Sequence, residues 1–276
     1  MTTLLLDADI LAYMIAAGSQ KTTTFPGCEP HVEVADWSDV QPRIHEEVAK
    51  VLSTLGAGKV IICLSCPTAS GFRIGILPSY KGNRKTVVKP VLLEKIKDYL
   101  EANWSSYRKP TLEADDIMGI LSTHPTLVPG KRVIVSDDKD MGTIPGFWFR
   151  PGWVGRQPDA FVREVTLAEA DHYHLYQTLC GDTTDGYTGC PKVGPVKASA
   201  VLEVDPSWKA VVDAYVMRGW TEEDALVQAR VARICRHTDW NFTDKKVIPW
   251  TPASYPCASV ATTASTASTQ PSLMRE

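Results

Sequence analysis

The chain has 276 residues, 44% hydrophobic and 22% charged, with 29 Lys and Arg against 32 Asp and Glu and a formal charge of −3. That length supports one large domain or two small ones, and no stretch approaches the roughly 18 consecutive apolar residues of a membrane-spanning helix. The opening MTTLLLDADIL carries acids where a secretion signal carries basic residues, and the seven cysteines have no framework spacing, which argues against a disulfide scaffold and predicts a cytoplasmic protein without membrane association.

Taken in chain order, residues 3–6, 59–64 and 132–135 are short apolar runs with few polar interruptions, as in strands buried on both faces of a parallel sheet. Between the first two, Ile44, Val48, Leu52 and Leu55 recur at helical spacing and Gly56 follows as a C-cap. Further helices are predicted over 91–101 and 112–122, and the alternation makes an open α/β sheet the expected core. The second half is helical over 167–180, 197–203, 208–218 and 222–237, where Thr221 precedes an acid-rich helix start, and 245–250 reads as a late strand. The expected organisation is an α/β core over 1–165, a helical region over 166–250 packed on it, and a disordered Ala/Ser/Thr/Pro tail over 251–276.

The acids are unevenly spread. Asp7 and Asp9; Glu113, Asp115 and Asp116; Asp137, Asp138 and Asp140; and Asp182 and Asp185 account for ten of them, and the remaining 22 face 29 Lys and Arg. A mildly basic body around concentrated acid suits a metal-dependent enzyme acting on a polyanion. Ligands of open α/β sheets sit outside the carboxyl ends of the strands, where the first and third clusters fall. If the first strand continues past Asp7, Asp7 and Asp9 face opposite ways and one of them points into the site. Each cluster also has a plain reading: Glu113–Asp116 as acids at a helix start, Asp137–Asp140 as a solvated turn. Four clusters together outweigh these, because carboxylates sharing a cleft repel and call for cations. Hard oxygen donors without His or Cys suit Mg²⁺ or Mn²⁺, and two such ions can activate a water and stabilise the leaving oxygen of a phosphodiester.

Two segments suit phosphate. Ser79 to Lys85 reads SYKGNRK, a basic loop in which Lys81, Arg84 and Lys85 surround one aromatic, Tyr80, placed to stack on a base. Gly189 to Gly194 reads GCPKVG, a glycine-bracketed turn with Lys192 that opens a helix carrying Lys197, the pattern of a hairpin gripping a DNA backbone. Other candidates carry less. Cys63 and Cys66 form a lone CxxC; His172 and His174 diverge on a helix; Trp148 and Trp153 read as core covers; Ser70 and Ser136 lack a histidine at any hydrolase spacing.

LLLDAD, SYKGNRK, LEADDIMG, SDDKDM and GDTTDGYTGCPKVG occur in the order expected of the flap endonuclease / 5′→3′ exonuclease family, and residues 1–250 most resemble the 5′→3′ exonucleases of short-tailed bacteriophages. The resemblance implies a PIN-like, mostly parallel sheet flanked by helices, a helical arch over about 72–103, and a helix–three-turn–helix element. It implies a first metal ion on Asp7, Glu113 and Asp115 with Asp116 alongside, and a second on Asp138, Asp140 and Asp182. Asp115 would lie between the two ions and Asp185 in the outer shell. It further implies Lys81 and Arg84 on the scissile phosphate, and Gly189, Lys192 and Gly194 on the DNA backbone with K⁺. The implied activity is that of a monomeric nuclease cutting duplex DNA and RNA–DNA hybrid from or near the 5′ end, in phage replication and recombination. One departure stands out: Cys66 occupies the place of an aspartate usual after the second strand, and a neutral thiol is a poor Mg²⁺ ligand. Two alternatives remain at this point. One is a haloacid-dehalogenase-type phosphatase built on Asp7-Ala8-Asp9, which leaves the basic loop and hairpin unexplained; the other is a nucleic-acid-binding protein whose catalysis Cys66 has impaired.

Overall fold

The computed structural model describes residues 1–23, 27, 31–155 and 157–252, apart from the side chains of Lys85 and Thr86. The tail expected over 251–276 lies, from residue 253 onward, outside the described residues.

β1 (Thr2–Asp7) runs directly into α1 (Ala8–Gly18), β2 (Gln20–Thr23) and β3 (His31–Val34) form a separate antiparallel pair, and α2 (Trp37–Thr54) leads to β4 (Lys59–Leu64). A short α3 (Phe72–Ile76), a 3-10 turn over Gly82–Thr86 and α4 (Leu93–Asn103) carry the chain to β5 (Ser106–Arg108) and α5 (Ala114–Thr123). β6 (Lys131–Val135), β7 (Gly146–Phe149) and β8 (Arg163–Val165) complete a six-stranded sheet of order β5-β4-β1-β6-β7-β8, parallel except for β8 at its edge.

The apolar runs take the central positions because both faces of those strands are covered. Leu4 and Leu6 enter a core shared with α1, α2 and α4, and Leu5 enters the opposite core with Ile117 and Leu121 of α5. All three leucines are fully buried, each worth about 1.5–3 kcal/mol in transfer from water. The chain leaves β1 for β4 on one side and returns to β6 on the other, so β1 is the switch point at which such sheets open a crevice.

α6 (Leu167–Cys180), α7 (Pro195–Val204), α8 (Trp208–Val216) and α9 (Glu222–Ala232) surround a third core that includes Leu179, Leu202, Val211 and Tyr215. α9 stops five residues before the expected 237. Residues 233–236 run extended against α5 instead, with Ile234 and Cys235 buried in the second core. The approach is so close that a Cβ on Gly119 of α5 would meet the Cys235 carbonyl oxygen at 2.2 Å. The late strand is two residues long, β10 (Lys246–Val247), paired with β9 (Trp240–Asn241). Among the described residues no helix is long and apolar enough to cross a membrane, and Cys63, Cys66, Cys180, Cys190 and Cys235 are free thiols.

Candidate active site

β1 ends at Asp7, whose carboxylate caps α1 by accepting from the Ile10 N–H at 3.2 Å. The strand therefore does not continue to Asp9, and the alternation expected of that pair does not arise. Asp9 sits in the first turn of α1, bonded to the Ser65 N–H at 3.1 Å and paired with Lys97 at 2.8 Å, and both acids line one cleft. β6 ends beside Ser136, a residue without a place among the predicted site groups. Its hydroxyl donates to Asp7 Oδ2 at 2.7 Å and accepts from the Asp138 N–H at 3.1 Å, tying the ends of two strands together.

The cleft has a volume of about 560 Å³ and opens at the carboxyl ends of β1, β4 and β6. Asp7, Glu113, Asp115, Asp138 and Asp185 line it with Lys81 and Arg84, so residues from five separate segments converge. Asp140 and Asp182 stand beside them, bridged by Lys139, whose Nζ is 2.6 Å from Asp182 and 3.7 Å from Asp140. Gln177 of α6, also unforeseen, donates to Asp140 at 2.6 Å.

Crowding shows in the proton affinities. Burial first, then Asp9 and Asp138, raise Asp7 to about 7, against hydrogen bonds from Ser136 and Ile10. Burial and Asp138 raise Asp140 to about 7 as well. Asp115 stands well above the carboxylate range through burial and the charges of Asp138 and Asp7, and Asp138 is raised chiefly by burial, with Asp185 adding. Asp182 goes the other way: burial opposes its charge, but Lys139 and the Thr184 and Asp185 N–H groups outweigh it.

Asp116 does not join the group. It is fully buried, takes both Arg73 guanidinium nitrogens at 2.8 Å and accepts from the Cys235 N–H at 3.0 Å. It also closes a capping box with Glu113, so the helix-start reading holds for this acid. Those bonds outweigh burial and keep its carboxyl below the usual range. Arg73 had no signal in the sequence beyond a lone arginine in GFRIGIL. Asp137 turns away too, accepting from the Gly152 and Val154 N–H groups at 2.9 and 3.1 Å.

Tyr80 departs from the expectation of an exposed stacking ring. It is 4% exposed, and its hydroxyl donates toward Glu113 and Asp185 at 3.1 Å each. Burial pushes its hydroxyl far above the ordinary phenol range. Lys81 adopts a left-handed backbone (φ 52°), and its Nζ lies 2.9 Å from both Glu113 oxygens. Arg84 pairs with Asp185, and the Lys85 side chain lies outside the described residues. Asn83 Nδ2 donates to the Thr183 and Thr184 carbonyls at 3.2 Å, and the Lys81 N–H to the Asp185 carbonyl at 2.8 Å. The basic loop is thereby fastened to the acidic one.

Gly189, Lys192 and Gly194 lie in a separate hairpin between α6 and α7, with Lys197 in the first turn of α7; Gly189 is buried and the other three are exposed. Gly189 is indispensable there: at φ 65° a Cβ would sit 2.3 Å from the Gly181 nitrogen. Lys192 is held left-handed at φ 59°, and Lys197 Nζ bonds its carbonyl at 3.1 Å. Gly194 caps α7 without a side chain, which leaves first-turn N–H groups outward for an anion.

The donor set suits a hard divalent cation in type, charge and burial. Among the described residues, no three His, Cys, Asp or Glu side chains surround one point as ligands of an ion would. Ammonium groups do part of that work, with Lys81 on Glu113 and Lys139 on Asp182. Cys66 lines the same cleft, 6% exposed, its thiol raised by burial and so uncharged. His174 is buried against the Ala229 carbonyl, and burial lowers it to about 3.

Residues 37–145 match the family model described as 5′-3′ exonuclease, N-terminal resolvase-like domain. The exonuclease of Escherichia phage T7 is 33% identical over 212 residues, 63% of this chain and 68% of that protein. The flap endonuclease Xni of Shewanella piezotolerans is 28% identical over 181 residues, 62% of this chain and 68% of the relative. In fold, the chain superposes on the T5 D15 protein, crystallised with metal ions, with a TM-score of 0.61 at 16% identity, covering 84% of this chain and 89% of that one. The chain belongs to the 5′→3′ exonuclease and flap endonuclease family. That membership makes it a nuclease and removes the phosphatase alternative.

Proposed function

We propose that this nuclease hydrolyses phosphodiesters of duplex DNA and RNA–DNA hybrid from or near the 5′ end, using two divalent ions, Mg²⁺ or Mn²⁺. The observation that carries the reading is the convergence of Asp7, Glu113, Asp115, Asp138 and Asp185 with Lys81 and Arg84 in one cleft. Asp7, Glu113 and Asp115 would hold the first ion; Asp138, Asp140 and Asp182 the second, with Asp115 between them and Asp185 outside. Bound there, the ions supply a water of lowered pKa and charge on the leaving oxygen.

The chain's own residues do the rest. Ser136 orients Asp7 and Asp138. Lys81 and Arg84, paired with Glu113 and Asp185 in this structure, would stabilise charge on the phosphoryl oxygens. Asp116 is left out of the ligand set, because Arg73 and two backbone N–H groups already occupy its oxygens. Tyr80 orients Glu113 and Asp185 in place of a base. The segment over 72–103 serves as the arch, and the Gly189–Gly194 hairpin, with Lys192, Lys197 and a K⁺ ion, holds the duplex backbone without reading sequence.

Incubation of the purified chain with 5′-labelled duplex is the direct test. Short labelled products are expected with Mg²⁺ or Mn²⁺ and none with EDTA; intact duplex in saturating Mg²⁺ and in Mn²⁺ overturns the reading.

A further inference from the structure

A second cavity, of about 620 Å³, adjoins the carboxylate cluster at Lys139, whose side chain lines it while its Nζ bonds Asp182. Trp148 of β7 forms its floor, and that indole is fixed by its Nε1, which donates to the Ser136 carbonyl at 2.8 Å. Ser136 is also the residue that bonds Asp7 and Asp138, so the floor shares an anchor with the acids. The guanidinium groups of Arg150 and Arg163 lie 5.3 and 6.0 Å from the Trp148 ring centre. Tyr173 of α6 forms the facing wall, stacked on Tyr176 with ring centres 5.7 Å apart.

The charges of this cavity do not cancel. Arg150 is paired with Asp159 at 3.2 Å, but among the described residues no carboxylate lies within 4 Å of the exposed Arg163. The one acid in the lining, Glu169, is bonded to the Thr166 N–H and hydroxyl at 2.8 and 2.9 Å and also feels the charge of Arg163, so three cations of the lining face a single acid. A cationic groove with an aromatic wall is the combination that holds a single nucleic-acid strand, phosphate on guanidinium and base on ring. Its volume matches a small ligand and not a duplex.

We propose that this cavity is a second substrate subsite, which takes unpaired nucleotides of the strand that passes the carboxylate cleft at Lys139, with Arg163 on a phosphate and Tyr173 against a base. The proposal rests on the nuclease reading above. It is tested by equilibrium binding, with Ca²⁺ replacing Mg²⁺, of a blunt duplex and of duplexes carrying an unpaired tail of about four nucleotides at the 5′ or the 3′ end. Wild type is expected to bind one tailed duplex at least about fivefold more tightly than the blunt one, the effect of a single stacked base. Arg163→Glu and Tyr173→Ala are expected to abolish that preference while cutting blunt duplex in Mg²⁺ at the wild-type rate. Independently of any variant, a 4-thiothymidine in the favoured tail is expected to crosslink to the peptide that holds Tyr173. Equal affinity for tailed and blunt duplexes, a preference that survives both variants, or a crosslink elsewhere overturns the subsite. If blunt duplex is neither bound nor cut, the nuclease reading fails and takes the subsite with it; if it is bound and cut without any effect of a tail, only the subsite fails.

Discussion

Asp115 and Asp116 are neighbours on α5, yet they sit in two different electrical environments. Asp115 faces Asp7 and Asp138 across the cleft, and burial with those charges drives its carboxyl well above the ordinary range. Asp116, one residue on, points into the protein, where Arg73 and the Cys235 and Glu113 N–H groups hold it ionised and low. Like-charge repulsion that Lys81 offsets only in part is a cost to the fold of the kind that clusters at functional sites. A buried pair with every oxygen bonded is architecture. Position in the chain does not separate the two roles; the direction in which each side chain leaves the helix does.

Asparagine substitutions at the two positions give the sharpest test of this contrast. Asp115→Asn is expected to lower the cleavage rate by about a thousandfold, some 4 kcal/mol of barrier, while raising the melting temperature of the metal-free protein. Asp116→Asn is expected to do the reverse, leaving the cleft carboxylates in place but costing about 3–5 kcal/mol in denaturant unfolding, because Arg73 is stranded. Similar stability changes in the two variants would break the contrast.

Smaller effects refine it. In the metal-free protein the raised Asp7 and Asp140 still hold protons between the ordinary value of 3.8 and about 7, where the unfolded chain has released them. Their contribution to stability therefore falls as pH rises through that window. A divalent ion must displace the same protons, so the Mg²⁺-induced rise in melting temperature is expected to reach about 4 °C at pH 8 and to shrink toward zero at pH 6. A rise that does not depend on pH would count against these carboxylates as ligands. Cys66→Asp, which restores an acid to the cleft wall, is expected to lower the Mg²⁺ concentration for half-maximal cleavage by about fivefold, or roughly 1 kcal/mol. An unchanged titration would show that the remaining acids suffice.

Much of this was legible in the residues. The apolar runs become β1, β4 and β6, since strands covered on both faces admit few polar positions. α6 has the bounds the pattern predicts, with Thr166 and Glu169 as its capping box. What escaped depends on partners distant in sequence. The Arg73–Asp116 pair joins α3 to α5, and nothing local marks Arg73 or separates Asp116 from the acids of the cleft. The extended segment after α9 packs on Gly119, more than a hundred residues earlier. Tyr80 looks exposed in a loop of lysine, glycine and arginine, and is buried because Glu113 and Asp185 need a donor. α1 was masked by the strand it follows without a break.

The fastening of the Ser79–Lys85 loop to the Asp182–Gly186 loop has a mechanical consequence. Gly186, at φ 75°, leaves so little room that a Cβ would come within 3.2 Å of the Ser79 carbonyl, and Asn83 clamps the two backbones from the other side. Neither loop can sway alone. A displacement of Lys81 or Arg84 is therefore passed on to Asp182 and Asp185 through the shared backbone bonds.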